Sequence, residues 1–334
     1  MNNTFLIITS IAGSNHHVLR LYAEECAKKN VTFLVIGDTK SPVNFELAQC
    51  NFYSVQRQQN LNFELAKSLP FKHYARKNLG YLIAMQQGAE IIIETDDDNL
   101  PMPEFWSDRK KELKAYLLTD QGWVNIYSYF SVSPIWPRGF PLEHLHKKLP
   151  HIGELKSIEC PIQQGLADVN PDVDAVYRLT MPLPVLFSKL ENIAIGNNSF
   201  CPFNSQNTTW YKEAFLLLYL PSYCSFRMTD IWRSFIAQRI ASTCGWPILF
   251  HQSTVWQDRN THNLLNDFRD EIPGYLNNSS IIQCLKELEL KEGTSNIPSN
   301  LVTCYQKLID MKLIEIAEMD LLNCWIHDVS KTKQ

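Results

Sequence analysis

The chain has 334 residues, 45% of them hydrophobic and 20% charged, and a formal net charge of −4. That allows one large domain or two modest ones with a sizeable core, and it argues against wholesale disorder. A slightly acidic chain with no lysine- or arginine-rich block is a poor partner for nucleic acid, and the longest apolar stretches, such as Ala214–Leu220, fall far short of a transmembrane segment.

The first residues, MNNTFLIITSIAGSNHH, lack the basic start and long apolar region of a signal peptide. Nine cysteines are scattered without CxxC pairs, which fits reduced thiols better than a disulfide frame or a zinc knuckle. A soluble, cytoplasmic protein is the expectation. Phe5–Ile11 reads as a buried strand. Ser14 or Asn15 is then expected to cap a helix with Val18, Leu19, Tyr22, Cys26 and Ala27 on one face. Val31–Ile36 is a second strand, stopped by Gly37-Asp38. His73–Gln87 reads as a helix closed by Gly88, Ile91–Thr95 as a third strand and Val124–Phe130 as a fourth. Strands separated by helices predict a mostly parallel central sheet flanked by helices, an α/β fold of Rossmann-like type.

Residues 131–225, rich in Pro, Asn and aromatics, read as long ordered loops of the kind that build a pocket. Thr229-Asp230 opens a helix ended by Gly245, and Ile248–Trp256 is a strand candidate. Ile281–Leu290, Leu301–Leu308 and Leu313–Trp325 have helical spacing. The expected division is a main domain over 1–275 and a C-terminal helical appendage over 276–334, through which the chain could form a homo-oligomer.

In open parallel sheets ligands bind beyond the carboxyl ends of the strands. Asp96, Asp97 and Asp98 lie there, directly after Ile91–Thr95 and with no cation beside them in sequence. Hard oxygen ligands at i and i+2 suit Mn²⁺ or Mg²⁺, so Asp96 and Asp98 are the metal candidates, with Asp97 turned to a sugar or ribose. Arg76, Lys77 and Asn78 open the preceding helix, where cations could meet a diphosphate and where Gly80 would permit close approach. Gly37 and Asp38 could touch a base or ribose, although a β-turn explains them almost as well.

Asp96-x-Asp98 after a buried strand resembles the DxD element of nucleotide-sugar glycosyltransferases of the GT-A type. The runs FKHYARKNLGYLIAMQQGAEIIIETDDDN, QQGLADVNPDVDAVYRLT, FNSQNT, SFRMTDIWRSFIAQR and VWQDRNTHN resemble the STELLO-type glycosyltransferases across roughly residues 30–270. A more distant similarity connects these to the reversibly glycosylated polypeptides, which are UDP-arabinopyranose mutases. The resemblance implies a GT-A fold, a nucleotide-sugar donor and a divalent metal, and the expected partners are a UDP-sugar and a glycan, lipid-linked or protein acceptor.

It also implies that Asp230 could be the general base of an inverting transfer, though Asp is equally a favoured helix N-cap. His262 would be the third metal ligand, and Arg259 would complement the phosphates. Asp168, Asp172 and Asp174 read as an acceptor-side acid cluster or as loop caps. Asn204–Asn207 could bond sugar hydroxyls, with Trp210 or Trp232 as a stacking face. The leading expectation is a metal-dependent glycosyltransferase. The alternatives are a nucleotide-sugar mutase and a non-catalytic assembly protein on the same fold.

Overall fold

The computed structural model describes residues 3–259 and 263–332. The strands are β1 Thr4–Thr9, β2 Thr32–Ile36, β3 Asn51–Tyr53, β4 Ile91–Thr95, β5 Asn99–Pro101, β6 Glu112–Leu118 and β7 Gly122–Trp123. They continue with β8 Leu155–Glu159, β9 Ile162–Asp168, β10 Asn192–Ile195, β11 Ser199–Phe200, β12 Asn207–Tyr211 and β13 Ile248–Gln257. The α-helices are α1 His17–Lys29, α2 Val55–Gln59, α3 Glu64–Ser68, α4 Lys77–Gln86, α5 Ala175–Thr180, α6 Thr229–Thr243, α7 Leu264–Glu287, α8 Ile297–Asp310 and α9 Glu318–Thr332.

Among the described residues one sheet holds eleven strands in the order β3-β2-β1-β4-β12-β9-β13-β10-β6-β8, with β5 on β13. The expected parallel order holds through β3-β2-β1-β4. Beyond β4 the sheet is mixed, because β12 enters antiparallel between β4 and β9, and antiparallel strands need no crossover helix. β13 is parallel to β9. Two reversals restore the direction, so β9 and β13 point the same way as β4. The carboxyl ends of β1, β2, β4, β9 and β13 therefore share one edge, where the acids lie.

Alternation along the strands sorts the core into two layers. Phe5, Ile7, Leu34 and Ile36 face a large cluster that includes α4, α6, α8 and α9. Leu6, Ile8, Phe33 and Val35 face a smaller one under α1. β4, IIIET, is buried along its whole length, as a β-branched central strand should be. Gly80 serves this packing: a Cβ there would lie 2.6 Å from Ile7 Cγ2, so glycine lets α4 press onto β1. The close approach is helix to sheet, not helix to phosphate.

Several sequence expectations are corrected. Val124–Phe130 is not a strand. Ile126–Tyr129 form a 3₁₀ turn, because Asn125 Nδ2 and Ser128 Oγ bond the Ile135 carbonyl at 2.8 and 3.1 Å in place of a strand ladder. Neither Ser14 nor Asn15 caps α1, whose N-cap is His16 without a side-chain bond. Ala27 is exposed, and Ala23 takes the inner position. The last helix begins at Glu318 rather than Leu313.

The 275/276 division falls inside α7. The terminal helices share the main core through Ile281, Leu301, Leu308 and Trp325. Asp328 of α9 accepts the backbone N–H groups of Glu64 and Leu65 at 3.1 and 2.9 Å, closing the first turn of α3. Glu318 accepts those of Ser222 and Tyr223 at 2.9 and 2.6 Å.

Trp325 is fully buried and donates to the Leu216 carbonyl at 3.0 Å. Trp325→Ala should cost about 3–5 kcal/mol, as large-to-small core changes do, and denaturant unfolding should keep one transition at a lower midpoint. A second transition at the wild-type midpoint would show that the terminal helices fold apart from the sheet.

Candidate functional site

Each strand end contributes one part. At β2, Gly37 packs so closely that a Cβ would sit 2.7 Å from the Phe52 ring. Asp38 accepts the N–H groups of Thr39 and His73 at 2.6 and 3.1 Å. A cavity of about 330 Å³ opens here, lined by Gly37, Asp38, His73, Tyr74, Asp97 and Phe226, with Arg76 on its wall. His73 stacks on Tyr74 with ring centroids 5.4 Å apart, and Phe226 meets both edge-on. Burial lowers the His73 pKa to about 4.

At β4 the three acids have three different partners. Asp96 Oδ1 accepts from Lys77 Nζ at 2.8 Å. Asp97 Oδ2 accepts from the Ser10 hydroxyl at the end of β1. Asp98 Oδ2 accepts from Gln257 Nε2 at 2.9 Å, at the end of β13. Asp98 Oδ1 is buried without a partner. Burial pushes the Asp98 carboxyl up to about 7, and the charges of Asp96 and Asp97 add to it. Burial also raises Asp96, against the pull of Lys77. The Asp96 side chain is 38% exposed and Lys77 is fully buried.

The helix-opening residues point inward. Lys77 also bonds the Thr95 carbonyl at 3.0 Å, so its charge serves Asp96 and the strand end. Asn78 is turned to Leu220, donating to its carbonyl at 2.8 Å and accepting its N–H at 2.9 Å. Arg76 bonds Gln58 Oε1 at 2.8 Å and the Leu69 carbonyl at 3.0 Å. Its buried Nη2 has no partner.

Asp230 belongs to a second constellation. Arg138 Nη1 and Nη2 reach its two oxygens at 3.0 Å each, and Tyr74 and the Ser205 N–H donate at 3.2 Å each. Arg138 also grips Asp172 at 2.8 and 2.9 Å. Burial alone would raise both carboxyls, but Arg138 outweighs it and holds each below the usual range. Asp230 is therefore ionised and weakly basic, with both oxygens occupied.

Arg138 carried no sequence signal beyond its setting in WPRGFP. There Gly139, at φ 86°, lies so close to Ile231 that a Cβ would sit 2.4 Å from Cγ2. Ser10, Tyr74 and Gln257 are likewise placed only by the fold. Asp174 caps α5 through Tyr177 N at 2.8 Å and takes Trp136 Nε1 at 2.7 Å, so it is a loop cap. Asp168 accepts from Ser253 and the Phe187 N–H. Trp210 and Trp232 are buried in the core and offer no stacking face. Asn204 Nδ2 donates to Asp172 at 2.8 Å.

Among the described residues no group of three His, Cys, Asp or Glu side chains is arranged as a metal cage. His262 lies outside those residues. Arg259 Nη2 donates to Asp267 at 3.0 Å, and its buried Nε has no partner. The orphaned Asp98 Oδ1 and the mutual repulsion of three adjacent carboxylates still fit a divalent cation. Mg²⁺-like sites commonly use one or two carboxylates and complete the shell with substrate phosphates and water. Asp96 and Asp98 would hold such an ion.

Residues 227–333 match the family model described as STELLO glycosyltransferases. Two Arabidopsis thaliana proteins, the probable glycosyltransferases STELLO2 and STELLO1, are 29% and 28% identical to this chain over 245 residues. Each alignment covers 66% of this chain, which spans about a third (32%) of the relative's length. A crystal structure of a mycobacterial protein aligns over 84% of this chain and 75% of its own, with a TM-score of 0.43 and 8% identity.

His73 yields a pH prediction. Its folded pKa of about 4 lies below the ordinary histidine value of 6.5, so the folded state binds fewer protons and stability falls as pH drops from 6.5 towards 4. His73→Phe should remove on the order of 2 kcal/mol of that loss, read as denaturation midpoints at pH 7.5 and 4.5. An unchanged pH slope would contradict the burial argument.

Proposed function

From the kinship of this chain with the STELLO-type glycosyltransferases, we propose that it transfers a glycosyl group from a nucleotide sugar, best a UDP-sugar, on a GT-A-type framework. The observation that carries the reading is the position of Asp96–Asp98. They stand at the end of β4, where Asp97 lines the cavity at β1 and β2, and Tyr74 of the same cavity bonds Asp230 of the Arg138–Asp172–Asp230 network. Nucleotide, diphosphate and reacting sugar would follow one another across these strand ends, in keeping with the rule for open α/β sheets.

Asp38, Gly37 and the free Nη2 of Arg76 would meet the nucleoside in the cavity, with Asp97 on the ribose. Asp96 and Asp98 would hold Mn²⁺ or Mg²⁺, and a bound divalent ion supplies charge neutralisation for a departing diphosphate. Lys77 pairs with Asp96 from the fully buried side and opposes the burial that raises its carboxyl. Arg259 would add positive charge beside Asp98, whose pKa it already lowers slightly.

On the acceptor side, Asp230 is ionised and set at the first turn of α6. Proton removal by Asp230 requires the acceptor hydroxyl to take the place of one Arg138 hydrogen bond, since both carboxylate oxygens are occupied. A direct displacement of this kind inverts the anomeric centre. The acceptor class is left to the loops around Asp172 and Asn204, where specificity varies on a constant fold.

The test is thermal unfolding with UDP, GDP and their sugars in the presence of Mn²⁺, because a ligand of the folded state raises its apparent stability. UDP with Mn²⁺ should raise the midpoint in the wild type. Asp98→Asn should weaken that Mn²⁺-dependent protection at least about ten-fold. The same variant should make the metal-free protein about 1 kcal/mol more stable at pH 8, by removing a buried and repelled charge. Equal protection of wild type and variant would remove Asp98 from the site, and no protection by any nucleotide would overturn the reading.

A further inference from the structure

Near the ends of β9 and β13 lies a guanidinium that no carboxylate among the described residues answers. Arg178, on α5, gives Nη2 to the Pro171 carbonyl at 2.8 Å and Nη1 to Asn170 Oδ1 at 3.4 Å. Its Nε is buried without a partner. The carboxylates whose fields reach it, Asp172 and Glu271, are already paired. Arg138 holds Asp172 at 2.8 Å and Arg227 holds Glu271 at 2.8 Å.

Arg178 is instead crowded by like charges. Burial, then Arg259, brings its pKa down to about 10, and burial, then Arg227, lowers Arg259. The orphaned Arg259 Nε repeats the pattern. Asn170 ties this group to the acids, since its Nδ2 donates to the Gln257 carbonyl at 3.3 Å and Gln257 Nε2 holds Asp98 at 2.9 Å. Gln257 Oε1 and Asp98 Oδ1 are also buried without partners. Four unpaired polar atoms thus gather around one strand end, two of them guanidinium N–H donors.

A buried cation without a counter-charge is costly, and crowding by further cations adds to the cost. An oxyanion placed here would take charge-assisted hydrogen bonds from the free donors and relieve the repulsion. We infer that Arg178, with Arg227 and Arg259, forms an oxyanion subsite that binds a carboxylate or phosphate carried by the substrate next to Asp98. The anion can sit on the transferred sugar, as in a hexuronate, or on the acceptor, as a phosphomonoester. This inference rests on the donor reading above, which sets UDP in the cavity and the reacting sugar beyond Asp98.

The test compares UDP, UDP-glucose and UDP-glucuronate in the presence of Mn²⁺, and inorganic phosphate added to UDP-saturated protein, by calorimetry and thermal shift. If the donor sugar carries the anion, UDP-glucuronate should bind at least ten-fold tighter than UDP-glucose, and Arg178→Met should erase the difference. If the acceptor carries it, the two sugars should bind alike and inorganic phosphate should protect the UDP-saturated wild type but not Arg178→Met. Arg178→Lys, which keeps the charge and loses the fork, should keep part of either effect, and unchanged UDP binding in both variants certifies their fold. The inference is overturned if UDP binds all three proteins equally and neither oxyanion distinguishes them. Failure of UDP to bind the wild type would count against the donor reading instead. Inorganic phosphate alone would then decide the arginines, with protection lost in Arg178→Met supporting the subsite and no protection overturning it.

Discussion

One buried ion pair sets the geometry of the strand ends. Glu94 lies two residues before Asp96 on β4, and Arg233 of α6 reaches it at 2.8 Å with neither side chain more than 1% exposed. Taking two such charges out of water costs several kcal/mol per ion, repaid only when the remaining donors and acceptors are satisfied. They nearly are. Glu94 also accepts the Tyr81 hydroxyl and Trp210 Nε1, and Arg233 donates to the Asn204 carbonyl at 3.1 Å. The strand that carries the acids is thereby tied to α4, β12, α6 and the 204 loop at once. Asp230 is one turn ahead of Arg233 on α6 and so shares its face, which fixes the Arg138 network relative to the acids.

The two halves of the site are electrostatically unlike. Around Asp230 and Asp172 the hydrogen bonds are satisfied, and Arg138 spans both carboxylates. Around Asp98 they are not. A carboxylate raised to about 7, an orphaned oxygen and unpaired guanidinium donors stand within one strand end. Buried polar groups in folded proteins are overwhelmingly satisfied, so these unpartnered atoms at one strand end are the basis on which the proposed substrate site rests. The matched half is preorganised, whereas the unmatched half is incomplete.

Much of this was legible in the sequence, for identifiable reasons. Ile91–Thr95 announced itself as a buried strand by its β-branched run, and the acids after it inherit their position from that strand alone. Gly37-Asp38 follows by the same logic. What could not be read was which way side chains turn on an all-buried helix. Nine of the ten residues of α4 are buried, so it has no polar face from which to place Lys77 and Asn78, which turn inward to Asp96, the Thr95 carbonyl and Leu220. Trp210 and Trp232 misled for a related reason, because an indole that packs in a core and one that stacks on a sugar look alike in sequence. Arg138 was invisible because its partners lie 34 and 92 residues away. Ser10 and Asp97 likewise stand 87 residues apart, and Asp98 and Gln257 159.

The central claim, that Asp96 and Asp98 hold a divalent ion against a nucleotide diphosphate, is tested most directly by anomalous diffraction from crystals grown with Mn²⁺ and UDP. The account predicts one strong manganese peak within coordination distance of Asp96 and Asp98 and of diphosphate oxygens, with the uridine in the cavity beside Asp38. A diphosphate bound with Lys77 and arginines alone and no metal peak, or a peak elsewhere on the molecule, would contradict it.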